Sequence, residues 1–243
     1  MPVKKKTAAP GKTKQPRPAA TKNTKSSFRQ MELPQQAQQF SFDPEEAIDH
    51  ISRRDKKMAR LIKDVGEFRL QMVEMMTPYE ALAQSIVYQQ LTGKAAATIF
   101  SRVQAIYGGK LPAPALIVET PDIKLRGAGL SNAKVLALKD LSEKAHLGQI
   151  PSLTQLRDMS DEEIIARLTT IRGIGRWTVE MLLIFRLGRP DVLPVNDYGV
   201  RKGFARTFNN SELPTPKELA EYGERWRPYR SIASWYLWRA LEL

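Results

Sequence analysis

The sequence contains no cysteine, and this absence excludes several kinds of chemistry at once. Without thiolates there is no disulfide scaffold, no cysteine-ligated zinc or iron–sulfur site and no thiol nucleophile. Histidine is scarce as well, because His50 and His146 are the only two. They are too few for a catalytic zinc site, so we predict no metal ligands. The groups left for reactive chemistry are mainly carboxylates, hydroxyls and amines.

Long apolar runs are also missing from the chain. No stretch of about 18 apolar residues occurs, and the basic N-terminus lacks the apolar stretch of a secretory signal. We therefore expect a soluble intracellular protein without a membrane partner, in the cytoplasm or nucleoid, or in the nucleus of a eukaryotic cell. What is present, 243 residues of which 42% are hydrophobic, suffices for one large domain or two modest ones.

Positive charge is concentrated at the N-terminus. Residues 1–30 hold nine of the 38 basic residues and none of the 26 acidic ones, so the rest of the chain carries only +3 of the net +12. We predict a disordered, Lys/Pro-rich basic tail over residues 1–40, followed by a folded domain over 41–243. Such a tail either raises salt-sensitive affinity for polyanions or serves only as a solubilising leader.

Helical patterns dominate the chain after the tail. Asp43 and Pro44 are typical of a helix start, Gly66 of a helix end, and Thr77 opens a helix that we expect to run through Gln90. Strand patterns are scarce, and no hairpin signal joins alternating apolar runs. We predict an all-α fold of about ten short helices in one or two lobes. The other predicted helices are 95–107, 132–147, 160–170, 176–187, 197–207, 216–226 and 229–241.

Two glycine hairpins repeat each other. Residues 125–130 and 171–176 both read apolar-Arg-Gly-apolar-Gly, and a helix is predicted after each. The second also follows a helix, whose start at Ser160 and Glu163 has the spacing of a capping box. Amides freed at such a hairpin can hold one phosphate, although a plain tight turn has the same pattern. Seven basic against three acidic residues over 171–206 favour the phosphate interpretation for the second hairpin.

Residues 168–178 and 193–202 resemble the helix-hairpin-helix and Gly/Pro-Asp motif of the DNA base-excision glycosylases. Residues 85–96 and 225–231 are similar to the alkylpurine branch, the 3-methyladenine DNA glycosylase II type. The resemblance implies a two-lobed all-α fold with a cleft between the lobes. It also implies a monofunctional, monomeric enzyme that hydrolyses the N-glycosidic bond of alkylated purines in double-stranded DNA. No cofactor is required in such enzymes, although the hairpin carbonyls of relatives can hold a monovalent cation.

Asp197 stands at the start of a predicted helix, where an aspartate is ordinarily an N-cap. The resemblance implies instead that Asp197 is the catalytic carboxylate. Removing a purine from deoxyribose builds positive charge on the sugar, and a fixed carboxylate stabilises that charge. The neighbouring residue is Asn196, where some relatives have a second acid. An alkylated base is already cationic, so one carboxylate suffices for its release.

Aromatic residues surround this position in the sequence and are expected either in the core or in a base pocket. Trp177 takes the place of a lysine that attacks the sugar in strand-cleaving relatives, which implies base removal without strand cleavage. The resemblance places Trp238 and Tyr198 in the pocket as well. An electron-rich indole gains from stacking on a cationic base.

The remaining site predictions concern contacts with DNA. The resemblance implies that Gln90 or Leu91 enters the duplex and fills the gap left by the extruded nucleotide, although a glutamine pair can also simply end a helix. Lys94 is placed to contact a phosphate. In the second hairpin we expect contacts to one phosphate from Gly173 and Gly175, supported by Arg172 and Arg176.

Two rival functions remain at this stage. One is a non-enzymatic DNA-binding protein, which gives no reason for a carboxylate at Asp197 inside a basic segment. The other is a glycosylase for a different base, such as uracil or mismatched adenine. The missing cysteines disfavour the iron–sulfur branches of that second class.

Overall fold

A computed structural model of the chain describes residue 40 and residues 42–75 and 77–243. The described residues form helices and no strands, so the predicted all-α class is confirmed. Nearly all of the predicted tail, residues 1–39, lies outside the described residues. The helices are α1 (Pro44–Arg54), α2 (Lys56–Val65), α3 (Pro78–Tyr88), α4 (Gly93–Ala105), α5 (Pro114–Glu119), α6 (Asp122–Gly127), α7 (Asn132–His146), α8 (Leu153–Asp158), α9 (Asp161–Leu168), α10 (Arg176–Phe185), α11 (Tyr198–Phe208), α12 (Pro216–Gly223), a 3-10 turn (Glu224–Trp226) and α13 (Arg230–Arg239).

Short-range capping explains where several helices begin. The Asp43 carboxylate accepts a hydrogen bond from the Glu45 amide at 2.8 Å, and α1 starts between them. At the start of α9, the Ser160 amide donates to Glu163 at 2.8 Å and the Glu163 amide donates to the Ser160 hydroxyl at 3.3 Å, which completes the predicted capping box. Gly66, with φ of 84°, ends α2 as predicted.

Some helices differ from the prediction. We did not predict α5, α6 and α8, each of six residues, because so short a segment does not repeat the 3.6-residue period. The prediction that α3 continues through Gln90 is wrong, since the helix ends at Tyr88. Gln89 leaves the helical region with ψ of 133°, and Gln90 takes a left-handed φ of 57°.

The helices form two packed groups. Helices α3–α7 from the middle of the chain pack together, and the hairpin between α9 and α10 is bonded to α7 through the Arg172 amide and Asp140. Helices α1 and α2 pack with α11, α13 and the 3-10 turn, on which α12 also packs. The groups meet where Trp238 stacks on Phe185 with ring centroids 5.7 Å apart. The Val73 amide also donates to the Phe185 carbonyl at 2.8 Å. This junction positions the site described below.

Most of the aromatic residues near the C-terminus belong to the core. Trp226, Trp235 and Tyr236 are all buried, and Trp235 makes edge contacts with Phe68 and Tyr236 at 4.9 Å. The expectation that part of this aromatic cluster packs the interior is therefore confirmed. None of the helices in the described residues is long and apolar enough to cross a bilayer.

Candidate active site

Asp197 occupies the N-cap of α11 and is only 6% exposed. A tight turn brings it there, because its own amide donates to the Pro194 carbonyl at 2.9 Å. Its Oδ1 accepts the Val200 amide at 2.7 Å, the usual capping bond. The carboxylate is therefore fixed to the start of a helix and largely withdrawn from solvent.

Two tryptophans from different parts of the chain donate to the same carboxylate. Trp177 Nε1 donates to Oδ2 of Asp197 at 2.7 Å, and Trp238 Nε1 donates to Oδ1 at 2.9 Å. With the Val200 amide, these donors use three of the roughly four lone-pair directions of a carboxylate. Within the described residues, no Lys, Arg or His forms an ion pair with Asp197. The remaining acceptor direction lies on Oδ2.

The residues around Asp197 differ sharply in exposure. Trp177 is 40% exposed and Tyr198 is 63% exposed, whereas Trp238 is buried behind Phe185. The buried acid therefore lies beside an open aromatic surface. Of the three predicted pocket residues, Trp177 and Tyr198 are exposed to solvent, and Trp238 is buried.

Gly199 is a residue of this site that sequence reasoning missed. A Cβ at this position would stand 2.9 Å from Cδ1 of Trp238 and 3.0 Å from Oδ1 of Asp197. A Cβ at these distances would force the Trp238 indole or the Asp197 carboxylate to shift, so glycine leaves room for the bond between them. The signal in the sequence was a glycine in the first turn of a helix, where glycine has low propensity.

The second hairpin connects α9 to α10 by the predicted turn. Gly173 has φ of 78°, and Gly175 is the N-cap of α10 without any side-chain cap. Both glycines are exposed, and neither of their amides donates a hydrogen bond within the described part of the chain. Arg172 is exposed beside them. Free amides at a helix start are suited to an anion.

The first hairpin lacks this arrangement. Here Gly129 takes the positive φ of 107°. Ser131 is the N-cap of α7, and its hydroxyl accepts the Lys134 amide at 3.3 Å. A side chain thus fills the place that an anion would take at the second hairpin. The two similar sequences therefore give only one candidate phosphate site.

Arg176 lies at the first position of α10, but its guanidinium is held by acids of this chain. It pairs with Glu162 at 2.6 Å and with Glu180 at 3.1 Å, joining α9 to α10. The side chain of Glu180 is 4% exposed, and burial raises the pKa of Glu180 to about 7 even though Arg176 lowers it. Sequence reasoning did not foresee these partners for Arg176.

Gln90 and Leu91, which are predicted to enter the duplex as a wedge, lie in the turn between α3 and α4. We call residues 89–91 the wedge turn. Gln90 is exposed and Leu91 half-buried, and Lys94 is exposed in the first turn of α4. The side chain of Gln89 reaches from this turn to the hairpin, since its Nε2 donates to the Gly173 carbonyl at 2.8 Å. The candidate wedge and the candidate phosphate site are therefore directly linked.

No group of three or more His, Asp or Glu that could hold a metal ion is found in residues 40, 42–75 and 77–243.

Comparison with known proteins gives concordant matches. The profile of the HhH-GPD superfamily base excision DNA repair proteins matches residues 83–228, which contain the wedge turn, the hairpin and Asp197. DNA-3-methyladenine glycosylase 1 of Schizosaccharomyces pombe is 40% identical over 196 residues, covering 80% of this chain and 86% of that protein.

Two solved structures resemble the fold closely. The S. pombe 3-methyladenine DNA glycosylase Mag1 in complex with abasic DNA has a TM-score of 0.72 at 40% identity, covering 82% of this chain and 97% of that one. DNA-3-methyladenine glycosidase from Bacillus halodurans has a TM-score of 0.73 at 35% identity, covering 83% of this chain and 91% of that one.

Proposed function

The chain belongs to the HhH-GPD superfamily of base excision DNA repair proteins, and from this membership we propose that it is a monofunctional DNA glycosylase for alkylated purines. It binds double-stranded DNA that contains alkylated bases. It hydrolyses the N-glycosidic bond of bases of the 3-methyladenine and 7-methylguanine type, and it leaves an abasic site.

The reaction needs no nucleophile from the protein. The bond between C1′ and the base nitrogen breaks, and its electron pair leaves with the base, which neutralises the positive charge of the alkylated purine. The sugar becomes an oxocarbenium ion, to which a water molecule adds at C1′ before losing a proton. Trp177 carries no amine that could form a Schiff base, so the strand stays intact.

The observation that carries this proposal is the environment of Asp197. Its carboxylate is buried, held by three N–H donors and free of any ion pair with Lys, Arg or His of the described residues. A negative charge in such a place stabilises a sugar cation more than it would in water, because the surroundings are less polar. The acceptor direction left on Oδ2 is suited to the sugar or to the attacking water.

The aromatic residues beside Asp197 form the base pocket of the proposal. The bond from Trp177 Nε1 to Asp197 fixes the edge of the indole, and Trp177 is 40% exposed beside the carboxylate. Stacking of a cationic base on this indole contributes about 0.5–2 kcal/mol. Tyr198 adds an exposed aromatic ring next to Asp197, and the buried Trp238 orients the carboxylate through its hydrogen bond to Oδ1.

DNA is held on both sides of the pocket. The amides of Gly173 and Gly175 bind one phosphate, with Arg172 beside them and Lys94 at a second point of the backbone. Gln90 or Leu91 fills the gap left by the extruded nucleotide. Arg176 contributes by holding the two helices of the hairpin together, since Glu162 and Glu180 already occupy its guanidinium.

A monovalent cation at the hairpin is not required in this proposal. The Ile171 carbonyl accepts the Ile174 amide at 3.0 Å, and the Gly173 carbonyl accepts Gln89 Nε2 at 2.8 Å. Each carbonyl oxygen has a second lone pair, so the hairpin carbonyls can still coordinate such an ion.

The test is base release from a duplex that carries a single 7-methylguanine or 3-methyladenine. We expect sites that break only on alkali treatment, with no strand cleavage before it. Binding without any release would support the non-enzymatic alternative. Release of uracil or mismatched adenine, with methylated purines untouched, would support a glycosylase of different specificity.

A further inference from the structure

Lys134 makes contacts that the proposed reaction does not explain. From α7 its Nζ donates to the carbonyls of Val87 at 2.7 Å and Gln89 at 2.8 Å, at the C-terminal end of α3. Lys134 itself is the third residue of α7, where the dipole of its own helix disfavours a cation. Burial also lowers the pKa of Lys134. Something other than the stability of α7 must favour lysine at this position.

The carbonyls that Lys134 binds come just before Gln90, the first of the two candidate wedge residues. The last carbonyls of a helix have no partner inside it, so a lysine that bonds two of them fixes the end of α3. The next residue, Gln90, has φ of 57°, a left-handed conformation that is unfavourable for a residue other than glycine. Such a backbone persists only when its surroundings hold it in place.

The same helix α7 also supports the phosphate-binding hairpin. One turn after Lys134, Ala137 lies under Gly173, where an added Cβ would come within 3.1 Å of it. Another turn on, Asp140 accepts the Arg172 amide at 2.8 Å. One face of α7 thus contacts both parts of the protein that are expected to touch DNA.

We propose that Lys134 is a positioning residue for base extrusion, which holds the wedge turn 89–91 at a fixed place relative to the hairpin at 171–176. Gln89 completes this connection through its bond to the Gly173 carbonyl. A wedge turn that is already ordered before DNA binds loses little conformational entropy when it enters the base stack. Extruding a nucleotide requires its stacking and pairing to be broken, so an ordered wedge turn aids extrusion. This inference rests on the proposed function, since it assumes that the enzyme extrudes its target.

The test compares Lys134→Met with Lys139→Met. Lys139 lies on the same helix and pairs with Asp122 at 2.5 Å, so both variants lose one positive charge from α7. Each protein is assayed in single-turnover release of 7-methylguanine from two duplexes. In one the lesion pairs with cytosine, and in the other it faces an abasic sugar analogue, which lowers the cost of extrusion.

We expect Lys134→Met to slow release of the paired lesion about 10- to 100-fold and release of the unpaired lesion less than about threefold. Lys139→Met stays within about twofold of the wild type on both duplexes. A Lys134→Arg variant recovers part of the loss, because it can still donate to both carbonyls. Equal loss on both duplexes, or loss on neither, would overturn the proposal.

If the wild type releases no base from either duplex, the proposed function fails, and the positioning role is tested without it. A 2-aminopurine opposite the target position then reports pair opening by its fluorescence when protein is added. Opening by the wild type and by Lys139→Met, with little opening by Lys134→Met, supports the inference. Equal opening by all three proteins, or by none, contradicts it.

Discussion

Asp55 and Asp197 are two buried aspartates in nearly the same local setting. Each is an N-cap, 5% and 6% exposed respectively. Asp55 accepts two backbone amides and one indole N–H, and Asp197 accepts one backbone amide and two indole N–H groups. Asp55 accepts Trp226 Nε1 at 3.0 Å, whereas Asp197 accepts Trp177 at 2.7 Å and Trp238 at 2.9 Å. The pairing of an acid with an indole is therefore not by itself a mark of an active site.

The difference lies in what covers each pair. Trp226 has no exposed surface and packs among Phe204 and Tyr222, so Asp55 is sealed in the core. Trp177 is 40% exposed, so the indole that binds Asp197 is open to solvent. A sealed aspartate of this kind stabilises the fold, whereas the aspartate beside an exposed indole is the one to which we assign a catalytic role.

The largest expected effect comes from Asp197→Asn. The substitution removes the negative charge while keeping the shape, so the sugar cation loses its stabilisation. We expect base release to fall by about a thousandfold or more, while affinity for DNA stays within about threefold because the hairpin and wedge are untouched. Single-turnover release and a binding titration measure the two quantities.

The matched control is Asp55→Asn. An amide N–H facing the buried Trp226 Nε1–H leaves donors unpaired, so we expect a loss of about 1–3 kcal/mol in the free energy of unfolding. Release at a temperature where the variant is folded should match the wild type. Similar rates for Asp197→Asn and Asp55→Asn would remove Asp197 from the mechanism.

A smaller difference is expected between the indoles. Trp177→Phe keeps an aromatic face but loses the bond to Oδ2 of Asp197, so the carboxylate is less well fixed. We expect release to slow about tenfold, in line with a lost hydrogen bond to a charged group of about 1.5 kcal/mol. Rates at saturating enzyme measure this effect.

Trp226→Phe provides the contrast, since it removes the equivalent bond to Asp55. Its cost should be seen in chemical denaturation, with the rate of release per folded molecule unchanged. A slow rate for Trp226→Phe, or a normal rate for Trp177→Phe, would mean that exposure does not separate the two sites.

The last comparison concerns stability rather than the rate of base release, and it adds Glu180 as a third buried acid. Asp55 and Asp197 each accept three described hydrogen bonds, but Glu180 accepts one, from Arg176, and burial raises the pKa of Glu180 to about 7. Between pH 4.5 and pH 7 the folded protein therefore keeps a proton on Glu180 that the unfolded chain has released. Because the folded state binds more protons, the free energy of unfolding falls as the pH rises through this range.

In Glu180→Gln this fall should be absent. We expect the variant to gain about 2–3 kcal/mol relative to the wild type between pH 4.5 and pH 8, as measured by denaturant unfolding across that range. If the free energies of unfolding of the two proteins differed by the same amount at every pH, Glu180 would have the same pKa in the folded and unfolded states.

Local sequence patterns predicted the parts of the fold that depend on neighbouring residues. The caps at Asp43 and Ser160, the stop at Gly66 and the hairpin at Gly173 all involve residues within a few positions of one another. The resemblance added a role for Asp197, which stays a prediction. Local pattern could not separate Asp197 from Asp55, because the partner that seals Asp55 lies 171 residues away in the chain.

Contacts across the fold account for most of what sequence reasoning missed. Gln89 reaches the Gly173 carbonyl 84 residues away, and Lys134 reaches Val87 and Gln89 on another helix. Arg176 looked like a phosphate ligand because its acidic partners come from two different helices. The role of a charged residue therefore depends on partners that only the folded structure brings next to it.

The central claim is that the Asp197 carboxylate stabilises a positive charge on the sugar. It is tested most directly by binding duplexes with two abasic analogues, a protonated pyrrolidine ring and a neutral tetrahydrofuran ring. We predict that the wild type and Asp55→Asn bind the cationic ring at least about tenfold more tightly than the neutral one, and that Asp197→Asn loses this preference. An undiminished preference in Asp197→Asn would contradict the account.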